Sequence, residues 1–195
     1  MYLELKNPDE TWVIDIEADG LSPTRNWCVC VKNVATGEER VFTETERGEF
    51  NEFARGKTFI GHNVISFDVP ALNKLWQSSI DLKSVVDTLV LSYLYNPALE
   101  GGHSLEAWGH RLNHPKGDFS DWDKFSEEMI TYCKNDVSLT LKLYTALSKR
   151  MREIGYSDKS CEIEHRIRVV IDEQQDNGFW FDVVRARDFL GNLRN

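Results

Sequence analysis

Three short acidic segments constrain this chain more than anything else in it: Asp15-Ile16-Glu17, Asn63-Val64-Ile65-Ser66-Phe67-Asp68 and Tyr132-Cys133-Lys134-Asn135-Asp136. The first ends an apolar run, the second leads into a segment marked by Pro70, and the third lies inside a long amphipathic pattern. Asp15, Glu17, Asp68, Asp136 and Tyr132 therefore fall on a strand, a helix start and a helix middle. Carboxylates are seldom buried unless something positive sits beside them. A fold that carries these segments must leave each in water or gather them around a common charge.

The rest of the sequence supplies the elements. Residues 11–16 (TWVIDI) and 26–33 (NWCVCVKN) read as buried strands, and Thr36-Gly37 turns the second into residues 40–42, an antiparallel hairpin. Residues 46–55 read as a short helix closed by Gly56. Residues 58–63 (TFIGHN) return as a strand whose glycine implies a close backbone approach. Pro70 suits a first helical turn, which predicts a helix over 69–76. Residues 85–88 lead into a helix through Tyr93 that stops near Asn96-Pro97, and residues 104–112 form a short amphipathic helix. Ser126, Glu127 and Glu128 cap a long helix. Its apolar residues Met129, Cys133, Val137, Leu141, Tyr144, Leu147 and Met151 recur at spacings of three and four, up to Gly155. The fold class is α/β, a mixed sheet flanked by helices.

Beyond that point the pattern changes. Residues 162–177 read as a charged helix ended by Gly178, residues 179–182 as a brief extended piece, and residues 183–193 as another helix. The division predicted is a domain over 1–155 and a helical segment over 156–195. Stopping in a helix at Asn195 reads as a cut through a longer architecture, either a fragment or one half of a split protein.

No apolar run approaches the roughly 18 residues that span a bilayer, and the N-terminus lacks a basic stretch followed by an apolar block. The expectation is a cytoplasmic protein without a membrane partner. The four cysteines fit reducing conditions. Cys28 and Cys30 point the same way from one strand, while Cys133 and Cys161 look isolated, so the spacing offers no closed zinc site and predicts buried thiols. The net charge of −9 argues against a surface that grips nucleic acid through many phosphates. It leaves room for an enzyme that holds only a strand end through metal ions.

Period-two geometry puts Asp15 and Glu17 on one strand face, where they repel unless a cation neutralises them; a solvated strand end would carry such a pair equally well. Asp68 opens a helix, whose N-terminal partial charge would keep it ionised, although a plain cap has the same look. Tyr132 and Asp136 share a helix face, as a surface pair or with the aspartate on a metal and the hydroxyl on a water. Asn63 can bond a ribose, a phosphate or its own turn, and Phe67 can stack on a base or fill the core. Taken together, the segments hold what two-metal phosphodiester hydrolysis needs. Asp15, Glu17 and Asp136 would hold one ion, Asp15 and Asp68 the other, and all-oxygen ligands suit Mg2+ or Mn2+.

Here the residues resemble a known family. Asp15-x-Glu17, Asn63-x-x-x-Phe67-Asp68 and Tyr132-x-x-x-Asp136 look like the three exonuclease motifs of the DEDD superfamily, tyrosine subtype, on a ribonuclease H-like fold. Residues 61–75 (GHNVISFDVPALNKL), 87–93 (DTLVLSY), 103–112 (HSLEAWGHRL) and 163–182 (IEHRIRVVIDEQQDNGFWFD) extend the likeness to the proofreading domain of family A DNA polymerases from short-tailed phages. The resemblance implies 3′→5′ removal of nucleotides from single-stranded or frayed DNA ends, in a host cytoplasm if the chain is phage-encoded. It implies a polymerase domain in cis or in trans, with residues 156–195 as the lead-in to it. Within residues 15–21, Leu21 corresponds to a leucine that wedges against terminal bases. His103 would approach a phosphate or cap a helix, and Asp87 reads as an N-cap rather than a fifth ligand.

Two other readings stand beside this one. An RNA-trimming exonuclease of the same superfamily would use the same residues, and a retired nuclease could serve as a strand-binding scaffold. The intact carboxylates weigh against the scaffold, which has no use for packed like charges.

Overall fold

The computed structural model describes residues 2–194. Five strands form one mixed sheet: β1 (Thr11–Ala18), β2 (Asn26–Asn33), β3 (Glu39–Thr43), β4 (Thr58–Gly61) and β5 (Val85–Asp87), in the order β3-β2-β1-β4-β5. β1, β2 and β3 pair antiparallel, as a hairpin sequence requires, and β4 and β5 add in parallel to β1. The helices are α1 (Arg47–Ala54), α2 (Asp68–Leu75), α3 (Thr88–Tyr95), α4 (Leu105–Arg111), α5 (Glu127–Glu153), α6 (Asp158–Asn177) and α7 (Val183–Leu193). None of the described helices is long and apolar enough to cross a membrane.

Alternation along β1 divides the core. Trp12, Ile14 and Ile16 face one side with Phe50, Phe59 and Leu72 of α1, β4 and α2. Val13 faces the other, with Cys28, Cys30, Met129, Cys133, Val137, Leu143 and Leu147. The period of two therefore commits Asp15 and Glu17 to the face that α5 covers. Fully buried side chains such as Phe59, Leu72 and Leu143 each contribute about 2–3 kcal/mol through area removed from water.

Gly61 is needed where β4 ends. A Cβ there would lie 2.6 Å from Val64 Cβ and 3.3 Å from the Ile14 carbonyl oxygen. The close approach expected of this glycine is thus real.

Some expectations needed correcting. β4 stops at Gly61 rather than at 63, because Asn63 adopts φ 66° and breaks the strand. Val85–Asp87 is a strand in its own right; buried on both faces, it shows no alternation. α6 starts at Asp158, capped by Ser157, four residues earlier than periodicity placed it. Leu141 is only partly buried while Leu139 and Leu143 fill the core. Cys133 is not isolated, because α5 sets its sulfur beside those of Cys28 and Cys30. All four cysteines are buried and free. Met1 and Asn195, the outer limits of the two predicted units, lie outside the described residues.

The first half of α6 is tied to the sheet domain. Asp87 N–H donates to His165 Nε2 at 2.8 Å, Leu3 N–H to Asp158 Oδ1 at 2.8 Å, and Arg168 Nε to Ser66 Oγ at 2.8 Å. Further on, Phe179, Trp180, Phe181 and Val184 are exposed.

Candidate active site

A cleft of about 480 Å³ opens where β1 ends. Its walls include Asp15, Glu17, Leu21, Asn63, Phe67, Asp68, Tyr132 and Asp136. Residues from three sequence segments thus meet in one place.

β1 supplies Asp15 and Glu17, two residues apart on the α5 face, with a ligand oxygen of each within 4.8 Å of the other. Beyond β1 the Asp19 carboxylate accepts from Thr24 N–H at 2.9 Å and Arg25 N–H at 3.2 Å. That closed loop holds Leu21 at the rim, where it is 92% exposed.

Asp68 is the first residue of α2, with Pro70 in the first turn, where its missing N–H costs nothing. The segment before it is held from behind by Asp87. This buried carboxylate accepts from Asn63 N–H at 2.9 Å, Ile65 N–H at 3.1 Å and Leu89 N–H at 2.8 Å, the last as the cap of α3. Asp87 is therefore spent on backbone donors.

α5 supplies Asp136 and, one turn earlier, Tyr132. Asp136 has a partner that the motifs did not show: Lys116 Nζ lies 2.8 Å from its Oδ2. The ammonium also sits 4.8 Å from the centre of the Tyr132 ring. Lys116 lies on the segment between α4 and α5, which Asn135 ties down through His114 Nε2 at 3.0 Å and the Pro115 carbonyl at 3.2 Å. Trp122 joins the wall, its carbonyl accepting from Trp27 Nε1 at 3.1 Å. Loop residues have no periodicity, so nothing in the sequence located Lys116 or Trp122.

Crowded burial makes the carboxylates reluctant acids. Desolvation, then the charges of Glu17, Asp68 and Asp136, hold Asp15 well above the usual carboxylate range. Burial pushes Glu17 to about 9 and Asp68 to about 7, and it raises Asp136 despite Lys116. The helix start was expected to keep Asp68 ionised. Backbone donors do favour its charged form, but desolvation outweighs them. For Lys116, burial works against the ammonium, yet the Asp136 charge and hydrogen bonds to Asp136 and Tyr132 raise its pKa overall. Burial also raises the Tyr132 phenol, so it carries its proton at neutral pH.

Two buried oxygens, Glu17 Oε1 and Asp136 Oδ1, have no hydrogen-bond partner among the described residues. Orphaned carboxylate oxygens in a cleft of like charges fit a hard divalent cation, for which all-oxygen donors are suited.

His103 lies outside the cleft walls. Its ring is buried, stacked 3.8 Å from Tyr93, with Nδ1 2.7 Å from Ser92 Oγ and Nε2 3.4 Å from the Pro97 carbonyl. His62, which the motifs did not single out, does line the cleft. Burial lowers its pKa to about 4, so its imidazole is neutral, with Nδ1 2.9 Å from Thr88 Oγ1.

The DNA-directed DNA polymerase of Escherichia phage T7 is 29% identical over an alignment covering 93% of this chain and 35% of the polymerase. That of Enterobacteria phage T3 is 28% identical with the same coverage. The chain thus spans about a third of the length of these relatives. Among solved structures, Brucella melitensis NrnC superposes with a TM-score of 0.69 at 22% identity, over 93% of both chains. NrnC has also been solved with bound Mg2+ and bound to pGG. These structural likenesses establish the fold, an α/β sheet of the ribonuclease H-like type. Residues 13–152 match the 3′–5′ exonuclease family, and the chain belongs to it as a DEDD exonuclease resembling the proofreading domain of phage DNA polymerases.

Proposed function

We propose that this cleft removes nucleotides from the 3′ ends of single-stranded, frayed or mismatched DNA, as a proofreading exonuclease does. The observation that carries the reading is the meeting of Asp15, Glu17, Asp68 and Asp136 in one cleft, with orphaned oxygens on two of them. The T7 and T3 relatives, both DNA polymerases, favour DNA as substrate.

Asp15, Glu17 and Asp136 would hold one Mg2+ or Mn2+, and Asp15 with Asp68 a second. When bound, the ions lower the pKa of a water and neutralise charge building on the phosphate. The side chains do the rest. Tyr132, protonated and one turn from Asp136, holds the attacking water with its hydroxyl, and Glu17 takes part in orienting it. Leu21 and Phe67 present apolar surface to the terminal bases, and Asn63 offers an amide to the sugar or phosphate. Such contacts read little sequence. Lys116, now on Asp136, must yield when a cation arrives.

Residues 156–195 would lead into a polymerase domain, in cis or in trans. The exposed Phe179, Trp180 and Phe181 support that reading.

The test is direct. Incubating the protein with end-labelled single-stranded DNA and RNA, with Mg2+ and with chelator, should give stepwise shortening of DNA from the 3′ end only with metal. Replacing Asp15 and Glu17 together by alanine should abolish it while circular dichroism stays native. Unchanged cleavage by that variant would sink the assignment. Preferential cutting of RNA would move the site to the RNA-trimming reading, in which contacts to the 2′-OH decide.

A further inference from the structure

β1 and β2 pair with Asp15 opposite Cys30 and Glu17 opposite Cys28. Directly opposed residues in an antiparallel pair project from the same face. Two thiols therefore stand beside two acidic side chains, all four beneath α5. Cys133 closes over them from α5. Its sulfur and those of Cys28 and Cys30 lie within 4.8 Å of one another. The Cys133 thiol also reaches the Asp15 carbonyl at 3.4 Å and Asp15 Oδ2 at 3.5 Å. With Asp15 and Glu17, Cys133 forms a second group whose ligand atoms again fall within 4.8 Å. One residue thus belongs to a sulfur cluster and to an oxygen cluster at once.

Small buried cysteines commonly do no more than pack, as weak hydrophobes under a helix. The shared Cys133, with Asp15 Oδ2 3.5 Å from its sulfur, sets these apart. Magnesium gains little from sulfur, whereas three sulfurs and one carboxylate oxygen make a tetrahedral donor set for a softer d10 cation. We infer that Cys28, Cys30 and Cys133 form a zinc site of their own, with Asp15 as fourth ligand. Zinc bound there draws Asp15 away from the cleft. The cleft, which Asp15 lines, gives the ion its approach. Zinc–sulfur bonds of about 2.3 Å put sulfurs roughly 3.8 Å apart in a tetrahedron, so the trio has to contract by up to about 1 Å. Each cysteine that enters as thiolate releases a proton to solvent, and no electron moves.

Binding and inhibition are separable, because only inhibition rests on the exonuclease reading. Metal-free protein in excess Mg2+ is titrated with Cd2+, a spectroscopic substitute for zinc, while the ultraviolet thiolate-to-cadmium charge-transfer band is followed. The band should saturate at one equivalent and be lost in Cys28→Ala/Cys30→Ala. As a check that needs no variant, zinc-edge X-ray absorption on wild-type protein with one equivalent of Zn2+ should show a sulfur shell. Zinc should also suppress Mg2+-supported hydrolysis by the wild type and spare the double variant. No band, a band that survives the double substitution, or a zinc spectrum with oxygen ligands alone overturns the site. A band without any Mg2+-dependent hydrolysis would keep the zinc site and remove the exonuclease reading. Hydrolysis without a band would do the reverse.

Discussion

Lys116 Nζ stands 2.8 Å from Asp136 Oδ2, inside the same cleft as Asp15, Glu17 and Asp68. A fixed ammonium is the charge this cleft uses when no other cation is bound, and it costs the incoming ion one charge-assisted hydrogen bond to displace. Lys116→Met keeps the apolar stem and removes the competitor. The expected result is an apparent Mg2+ or Mn2+ affinity tightened by about tenfold, the worth of one such bond in a partly exposed setting. Titration calorimetry of both proteins measures it. Equal affinities would mean that Lys116 stands clear of the ion.

The raised carboxylates set a pH dependence with a definite sign. Their pKa values lie above the ordinary range near 4 when folded, up to about 7 for Asp68 and about 9 for Glu17. The folded state therefore binds more protons than the unfolded state across that window. The contribution is fully present below the unfolded values and is lost as pH rises through about 7 and then about 9. In chelator, the melting temperature should fall between pH 5 and pH 9. Added Mg2+ should raise it, and more so at the alkaline end, because binding displaces protons. Asp15→Asn/Glu17→Gln should flatten the chelator curve and raise its alkaline end. A wild-type curve flat in chelator would mean that water reaches these groups more freely than their burial implies.

The meeting of the three acidic segments was legible because each sits on an element whose period fixes where side chains point. β1 alternates, so Asp15 and Glu17 had to share a face. α5 repeats every three to four residues, so Tyr132 and Asp136 had to share another. What could not be read depends on contacts distant in sequence. Lys116 sits on an aperiodic loop held by Asn135. Cys133 meets Cys28 and Cys30 only after α5 has docked. β5 is three residues long and buried throughout, so it offers no pattern to read. The ionisation of Asp68 was misjudged because a helix start is visible in sequence while full burial is not.

Tyr132 carries a hydroxyl whose proton burial retains, on a ring flanked by Phe119 and Trp122. Tyr132→Phe preserves that packing and deletes only the hydroxyl. Turnover should drop by about ten- to a thousandfold, the range for a group that positions or shares a proton with a nucleophile. Affinity for a single strand, measured with Ca2+ in place of Mg2+, should stay within about twofold, since one partly buried neutral hydrogen bond is worth little. A wild-type rate would leave the hydroxyl with a structural role only.

Leu21 gives the sharpest test of substrate form. At 92% exposure it contributes almost nothing to the core, so Leu21→Ala should leave the melting temperature unchanged. If it wedges against terminal bases, its loss matters where those bases must be separated and hardly at all where they are already free. Digestion of single strands should proceed near the wild-type rate, and digestion from matched primer–template ends should slow several-fold, with mismatched ends between. The acidic surface, −9 overall, points the same way: few phosphates are engaged, so digestion should be distributive and binding should weaken only modestly with salt. Time courses on the three substrates at several salt concentrations read all of this together. Uniform slowing on every substrate would make Leu21 a general strand contact, and rapid processive degradation of paired duplex would require a grip that this cleft does not provide.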